Sequence, residues 1–332
     1  MKRLPVIFLF FLSLSLCSCG EWFSKDSEED EFFLPSIYEP DDSSAYLAVF
    51  GDIQYYTNSQ YYKVLRSSSD WIVKASQFMD IQGVIHTGDI TQTDNDDYEW
   101  PYFDKAIARL SESVPFVSAI GDHDYKWDGA LIMSRDDTHF SEHVASPLVA
   151  GRIVTSYEEG RWENIVVRNE IHGERYDIMV LEFGPRREVV AWANAWVSSH
   201  PQIKYFLINH EYLEEGGGRR VKNLKCRARL QNTSYSTPEE LWKNLVWCND
   251  NIVAVLSGHT GGLYAYTKEA NRAGREVCQI QHNIQDAPYR YDNWLMLWKF
   301  PVDSDDAVVS IFNTKTGVMY DSDTLFTFQY RY

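Results

Sequence analysis

A chain of 332 residues that is 44% hydrophobic and 24% charged is an ordinary globular sequence, long enough to bury one large core. Its formal net charge of -17 excludes broad electrostatic binding to nucleic acid or anionic headgroups. Any phosphate chemistry then has to draw on locally concentrated positive charge, which metal ions supply.

Residues 1–18, MKRLPVIFLFFLSLSLCS, open on Lys2 and Arg3 and continue in an apolar run too short for a stable membrane span. Ser18 before Cys19, with Leu16 three residues back, resembles a bacterial lipobox. That resemblance implies a lipoprotein signal peptide over 1–18 and acylation of Cys19. The protein would then sit outside the cytoplasm, anchored to a bacterial membrane, with the outer membrane expected. A plain secretory signal with an incidental cysteine is the alternative. Residues 19–44 are acidic and turn-rich without periodicity and read as a tether, which leaves 45–332 as the folded domain. No C-x-x-C pair occurs outside the signal region, so a cysteine zinc site has no support. Cys226, Cys248 and Cys278 leave room for one disulfide of unassigned pairing.

Through the first two-thirds of the domain, apolar runs alternate with amphipathic stretches. YLAVF (46–50) precedes a helical pattern near 59–79, GVIHT (83–87) precedes another near 97–111, and PFVSAI (115–120) follows. Residues 125–170 interrupt the alternation. YDIMVLEF (176–183) leads into a helix through EVVAWANAWVSS, and KYFLI (204–208) into a Gly-rich loop over 213–236. That loop holds Arg219, Arg220, Lys222, Lys225, Arg227 and Arg229, a solvated cluster or one that recognises an anion. A helix over 237–247 follows, with Thr237 as N-cap and Pro238 in the first turn, and then NIVAVLS (251–257). From 263 onward the pattern is strand-like. The reading is an α/β layered domain with mixed sheets.

Five apolar runs end in residues that bind metals: Gly51-Asp52-Ile53-Gln54, Gly88-Asp89, Gly121-Asp122-His123-Asp124, Asn209-His210-Glu211 and Gly258-His259. In an open α/β sheet, ligands bind outside the carboxyl ends of strands, so these blocks converge on one crevice. One Gly-Asp alone is most often a turn and one His most often a packed histidine, but five at successive strand ends form a pattern. Mixed carboxylate and imidazole donors suit Mn, Fe or Zn, and a pair of such ions suits phosphoryl displacement. There is no G-x-S-x-G elbow, no phosphate loop and no zinc-protease helix.

GDIQ, HTGDI, IGDHD, NHEY and SGHTGG resemble, in order, the blocks of the calcineurin-like metallophosphoesterases. LEFGPRREVVAWAN and HNIQDAPYRYDNWLMLWKFP further resemble a secreted bacterial branch of that family. The resemblance implies two mixed β-sheets packed as a sandwich and flanked by helices. It implies Asp52 and Gln54 on a first metal, Asp89 bridging, and Asp122, His210 and His259 on a second. It also implies His123 as the group that protonates the leaving oxygen or steadies the phosphate, with Asp124 orienting its imidazole. The expected cofactors are one or two divalent ions (Mn, Fe, Zn or Mg).

Three positions depart from the family pattern. Gln54 stands where a His is usual, Asp122 where an Asn is usual, and Gly261 where a second His is usual. Gln54 can ligate through its amide oxygen and favours harder ions such as Mn or Mg. Gly261 offers no donor, and His282 is a candidate substitute, though a packed strand histidine is an equal reading. His86 reads as a buried, hydrogen-bonded core residue. Tyr55, Tyr56, Tyr125 and Trp127 can wall a pocket or simply pack, and Arg186 and Arg187 can reach a phosphate or lie on the surface. The Asn232-Thr233-Ser234 sequon says little in a bacterial lipoprotein.

The activity implied is hydrolysis of phosphoric esters, monoester or diester, by metal-activated hydroxide outside the cytoplasm. The substrate would be a phosphorylated small molecule, glycan or lipid. Contact with the membrane would be through the lipid anchor alone, with no nucleic-acid partner. The alternative is a catalytically impaired binding or scaffold protein on the same fold, retaining at most one metal.

Overall fold

Strand-forming runs of Val, Ile, Leu and Phe, each closed by a glycine or polar turn, build two mixed sheets. The computed structural model describes residues 32–40, 43–94, 97–126, 134–220, 235–286 and 288–332. The expected signal peptide, Cys19, most of the expected tether, Trp127, Cys226 and the Asn232 sequon fall outside the described residues. Among the described residues no helix is long and apolar enough to cross a membrane.

The first sheet has six strands in the order β14 (Phe326–Gln329), β13 (Asp306–Asn313), β12 (Trp294–Phe300), β1 (Ala45–Phe50), β2 (Asp80–His86) and β3 (Phe116–Ser118). The second runs β10 (Tyr264–Ala270), β11 (Glu276–His282), β9 (Ile252–Ser257), β8 (Lys204–Asn209), β7 (Glu174–Leu181), β5 (Ile165–Val167) and β4 (Ile153–Ser156), with β6 (Glu170–Ile171) paired to β7. Period-two alternation divides the second sheet's side chains between two clusters. Ile178, Val180, Phe206 and Ile208 join the core shared with β1, β2 and β12. Met179, Leu181, Tyr205 and Leu207 join Val189, Val190, Ala193 and Val197 of α5 (Arg187–Ser199).

Register places the site. Parallel pairing runs to Phe50↔His86 between β1 and β2 and to His86↔Ser118 between β2 and β3. In the second sheet Leu181↔Asn209, Ile208↔Leu256 and Gln281↔Ser257 bring the carboxyl ends of β7, β8, β9 and β11 level. β12 is antiparallel to β1 and pairs Met296 with Val49, so the loop before β12 opens at that same end. All five ligand-bearing blocks therefore leave the sheets on one side.

The helices expected near 59–79 and 97–111 are α1 (Tyr62–Ala75) and α2 (Glu99–Ser113), both packed on the core by apolar faces that include Trp71, Ile72, Trp100 and Phe103. The helix expected over 237–247 begins as α6 (Pro238–Leu241), closed by a capping box between Thr237 and Glu240, and continues as a π-helical turn over Trp242–Val246. The interruption expected over 125–170 contains order. α3 (Phe140–Val144), α4 (Pro147–Ala150), β4 and β5 lie there, and the two strands extend the second sheet's edge. Each is three to five residues long, too short for a period to be read. Among the described cysteines, Cys248 and Cys278 are free thiols.

The folded unit starts at Phe32, inside the stretch read as tether. Phe32, Leu34 and Tyr38 pack on the core, Ile37 belongs to it, and the Phe33 carbonyl accepts the Trp71 indole N–H at 2.6 Å. The acidic residues around this segment hide its apolar ones in any compositional average. A chain beginning at residue 45 is therefore predicted to be less stable than one beginning at 32 by at least about 2 kcal/mol, seen as a Tm lower by roughly 4 °C or more. Equal melting temperatures would show that these contacts contribute nothing.

Candidate metal centre

The first sheet delivers Asp89 and Asp122, and the second delivers His210 and His259. One ligand atom from each lies within 4.8 Å of the other three. His210 Nε2 stands 3.2 Å from Asp89 Oδ1 and 3.4 Å from Asp122 Oδ1, and His259 Nδ1 stands 2.9 Å from Asp122 Oδ1. His210 donates its other ring proton, on Nδ1, to the Thr87 carbonyl at 2.9 Å. That bond fixes the tautomer and turns the Nε2 lone pair toward the two carboxylates. Phe183, from the LEFG segment, sits against both imidazoles, with ring centroids 6.0 and 5.7 Å away.

The close approach of these loops, within the first sheet at Gly121 and between the sheets at Gly258, demands particular backbones. A Cβ added to Gly121 would lie 2.0 Å from Asp89 Oδ1, and one on Gly258 would lie 2.0 Å from Asp52 Oδ1, so neither position admits a side chain. Asp89 and His259 themselves hold left-handed conformations, with φ of 60° and 68°. Non-glycine residues adopt that region at a cost and recur there at functional sites.

The electrostatics call for a cation. Asp52, Asp89 and Asp122 are all buried, and the ion-pair partners of Asp89 among the described residues are confined to His210. Burying several carboxylates without a compensating charge costs many kcal/mol. A lone pair on His210 Nε2 facing two carboxylate oxygens is repulsive unless a proton or a metal ion lies between them. Protons answer the demand when no metal is bound. Burial opposes charge on His210, but Asp89 and Asp52 raise its pKa well above the usual imidazole range. Burial likewise opposes charge on Asp122, yet His259 and His210 hold its pKa well below the usual carboxylate range. Two carboxylates and two imidazoles within this reach are a donor set that Zn, Fe or Mn accepts.

Asp52 and Gln54 lie beside this group in a different setting. Asp52 accepts the His259 backbone N–H at 2.8 Å, the Asn283 amide at 3.0 Å, the Gln285 amide at 3.3 Å and the Thr87 hydroxyl at 3.2 Å. Gln54 donates through Nε2 to Asp89 Oδ2 at 3.1 Å and to Gln285 Oε1. Neither Asn283 nor Gln285 stood out in the sequence. An amide in a loop carries no periodic signal.

The remaining expectations sort themselves by contact. His123 donates its backbone N–H to Asp89 Oδ1 at 3.1 Å, and its ring Nδ1 meets the Gln92 carbonyl at 2.8 Å. Burial opposes charge on its ring, but Asp89 and Asp122 raise its pKa to about 9. Gln92 thus orients the imidazole, a task expected of Asp124. Asp124 is a brace: its two oxygens accept the backbone N–H groups of Asp89, Gly121 and Thr91 and the Thr91 hydroxyl, at 2.8 to 3.2 Å. His282 is not in the four-ligand group. Its Nδ1 meets the Leu263 carbonyl at 2.9 Å, and burial lowers its pKa to about 4. His86 is a buried core histidine bonded to Ser118 at 2.8 Å. Tyr56 and Tyr125 are 1% exposed and wall no open pocket, whereas the Tyr55 ring lies 3.9 Å below the Arg290 guanidinium. Arg186 is held by Glu182 and Glu158, and Arg187 by Glu240. Arg219 pairs with Glu239 and Glu269, and Arg220 with buried Glu211 next to His210.

The family model for calcineurin-like phosphoesterases matches residues 45–263. The chain is 27% identical over 281 residues to the uncharacterized protein YvnB of Bacillus subtilis (strain 168), an alignment covering 82% of this chain and 20% of that protein. A purple acid phosphatase, PPD1, from yellow lupin (Lupinus luteus) seeds superposes with a TM-score of 0.55 at 15% identity, over 89% of this chain and 55% of that one. A 5'-nucleotidase precursor from Thermus thermophilus gives 0.45 at 14% identity, over 83% and 53%. The chain thus spans a fifth of YvnB and about half of each of these structures, and the likeness to the lupin protein is one of fold. From the strand before Asp52 to the loop after His259, with every ligand block in order, the chain belongs to the calcineurin-like phosphoesterase family.

Proposed function

We propose that the protein is a metal-dependent hydrolase of phosphoric esters acting outside the cytoplasm, tethered to a bacterial membrane through Cys19. The observation that carries the reading is the four-ligand group of Asp89, Asp122, His210 and His259 at the junction of the two sheets. These four residues would hold a divalent ion, which would supply Lewis-acid polarisation of a phosphoryl oxygen. The protein's own groups do the rest. The Gln92 carbonyl accepts from His123 Nδ1, which leaves Nε2 as the ring atom that would meet the phosphoryl or leaving-group oxygen. Asp124 accepts the Asp89, Thr91 and Gly121 backbone N–H groups, which ties the second and third blocks together. In hydrolysis a water oxygen bonds to phosphorus, the ester P–O bond breaks, and the leaving oxygen gains a proton. The acidic surface and the tether fit a small phosphorylated molecule, glycan or lipid better than a nucleic acid.

One observation favours the alternative, a binding protein without turnover. The Asp52 carboxylate is already met by four protein donors. Assays with p-nitrophenyl phosphate and bis(p-nitrophenyl) phosphate under Mn, Zn or Mg decide between the two. Hydrolysis of either ester that disappears in Asp89→Asn supports the enzyme, and none under any metal supports the binding protein.

His123→Asn is predicted to lower kcat by about 10²- to 10⁴-fold while metal content, measured by mass spectrometry, stays at the wild-type level. A loss of metal in that variant would move His123 from the substrate to the ligand set. Asp124→Ala is predicted to act on stability, because it strands buried N–H donors that each cost about 1–3 kcal/mol. A variant that melts normally but lacks activity would return Asp124 to the chemistry.

Removal of metal by a chelator is predicted to lower Tm, since the buried carboxylates then depend on protons alone. With ligand at about 100 times Kd the restored stability is roughly 2.7 kcal/mol. An unchanged Tm on chelation and re-addition would show that no ion binds the folded state.

A further inference from the structure

Arg135, Arg161, Arg186 and Arg220 each meet a buried glutamate at 2.8 to 3.3 Å. Arg290 does not. Among the described residues its one ion pair is with Asp286 at 3.9 Å, beyond hydrogen-bond reach, and the Asp286 side chain is 50% exposed. The guanidinium is nonetheless fixed. Its Nε donates to the Gln285 carbonyl, and its Cζ lies 3.9 Å from the centroid of the Tyr55 ring. The turn that carries it is braced as well. Tyr291 holds a left-handed backbone with φ of 67°, gives its N–H to the Tyr56 hydroxyl at 3.0 Å and stacks on Tyr61 at 3.6 Å. Both anchors of Arg290 lead to the metal group. Tyr55 follows Gln54, whose Nε2 donates to Asp89 Oδ2 at 3.1 Å, and the Gln285 side chain donates to Asp52 Oδ2 at 3.3 Å.

We infer that Arg290, held on Tyr55, is an anion-binding subsite for a second acidic group of the substrate, a phosphate or a carboxylate, beyond the phosphoryl group at the metal centre. A loop staple needs only Nε and the face of the guanidinium, and both are already engaged. The Nη1 and Nη2 groups make no hydrogen bond among the described residues, on a side chain that is 31% exposed. Stacking fixes the plane of that fork, and parallel N–H groups match two oxygens of a phosphate or carboxylate. In a chain of net charge -17, a cation without a close carboxylate stands out. Arg290 lies outside the family-matched segment, so the subsite belongs to this chain's own C-terminal loop. It presupposes the proposed hydrolase and adds what that hydrolase selects, phosphoric esters that carry a second anion.

The test is calorimetric binding of phosphonates, which are not hydrolysed, to the full chain at a fixed free Mn concentration. The probes have propyl or hexyl spacers and end in methyl, phosphonate or carboxylate. A second acidic end is expected to tighten binding about 10-fold over the methyl end, and Arg290→Gln to remove most of that ratio. Which end gives the gain tells phosphate from carboxylate. Arg290→Lys, which keeps the charge and loses the fork, is expected to retain only part of the ratio. Thermal melting of both variants checks that they fold. Equal binding of all three ends by the unmodified chain overturns the inference, and so does an Arg290→Gln variant that weakens all three alike, since Arg290 then only staples the loop. Both results leave the proposed hydrolase intact if p-nitrophenyl phosphate is still cleaved. No binding of any probe also overturns it, and if p-nitrophenyl phosphate is untouched as well the hydrolase reading falls with it.

Discussion

Three buried carboxylates, Asp52, Asp89 and Asp122, meet where the carboxyl ends of two sheets are pressed together, and the surrounding structure answers to that concentration of negative charge. Glycines at 121 and 258 let the opposing backbones close to distances at which a single methyl group would strike a carboxylate oxygen. Asp89 and His259 accept left-handed backbones to aim their side chains inward. His210 gives its Nδ1 proton to the first sheet's Thr87 carbonyl, and His259 gives its backbone N–H to Asp52, so each imidazole-bearing loop is tied to the opposite sheet. Such an arrangement stores unfavourable electrostatics that a divalent ion would relieve.

Relief is arranged differently at neighbouring points. Around Asp122 the partners are imidazoles, His259 at 2.9 Å and His210 at 3.4 Å. Around Asp52 they are N–H and O–H donors from Thr87, Asn283, Gln285 and the His259 backbone, which partly stand in for a cation. Two of the three departures from the family pattern, Gln54 and Gly261, fall in the first and last blocks, and the amides of Asn283 and Gln285 that meet Asp52 come from the loop that follows β11. The arginines nearest in sequence to the ligand blocks serve the scaffold: Arg135 and Arg186 converge on buried Glu182, and Arg220 on Glu211. Arg290, stacked on Tyr55 directly after Gln54, is a cation at the rim of the site.

Much of this was legible in the sequence because it is periodic. Apolar runs ending in Gly-Asp, Asn-His or Gly-His mark both a strand and the residue that follows it, so the five blocks and the alternation of strand and helix could be read together. Contacts set by tertiary approach could not. The resemblance implies that Asp124 orients His123, yet the Asp124 oxygens turn back to the Asp89, Gly121 and Thr91 backbones. Gln285 sits in a loop without a period, and its bond to Asp52 spans 233 residues of sequence. The acidic leader concealed Phe32 to Tyr38 because composition averages over a segment whose few apolar residues are the ones that dock.

Anomalous diffraction from crystals grown with Mn shows whether the four-ligand group holds a divalent ion in the folded protein. A strong anomalous peak bounded by Asp89, Asp122, His210 and His259 is expected. A well-ordered map showing those four side chains bonded only to one another, with no peak among them, would contradict it.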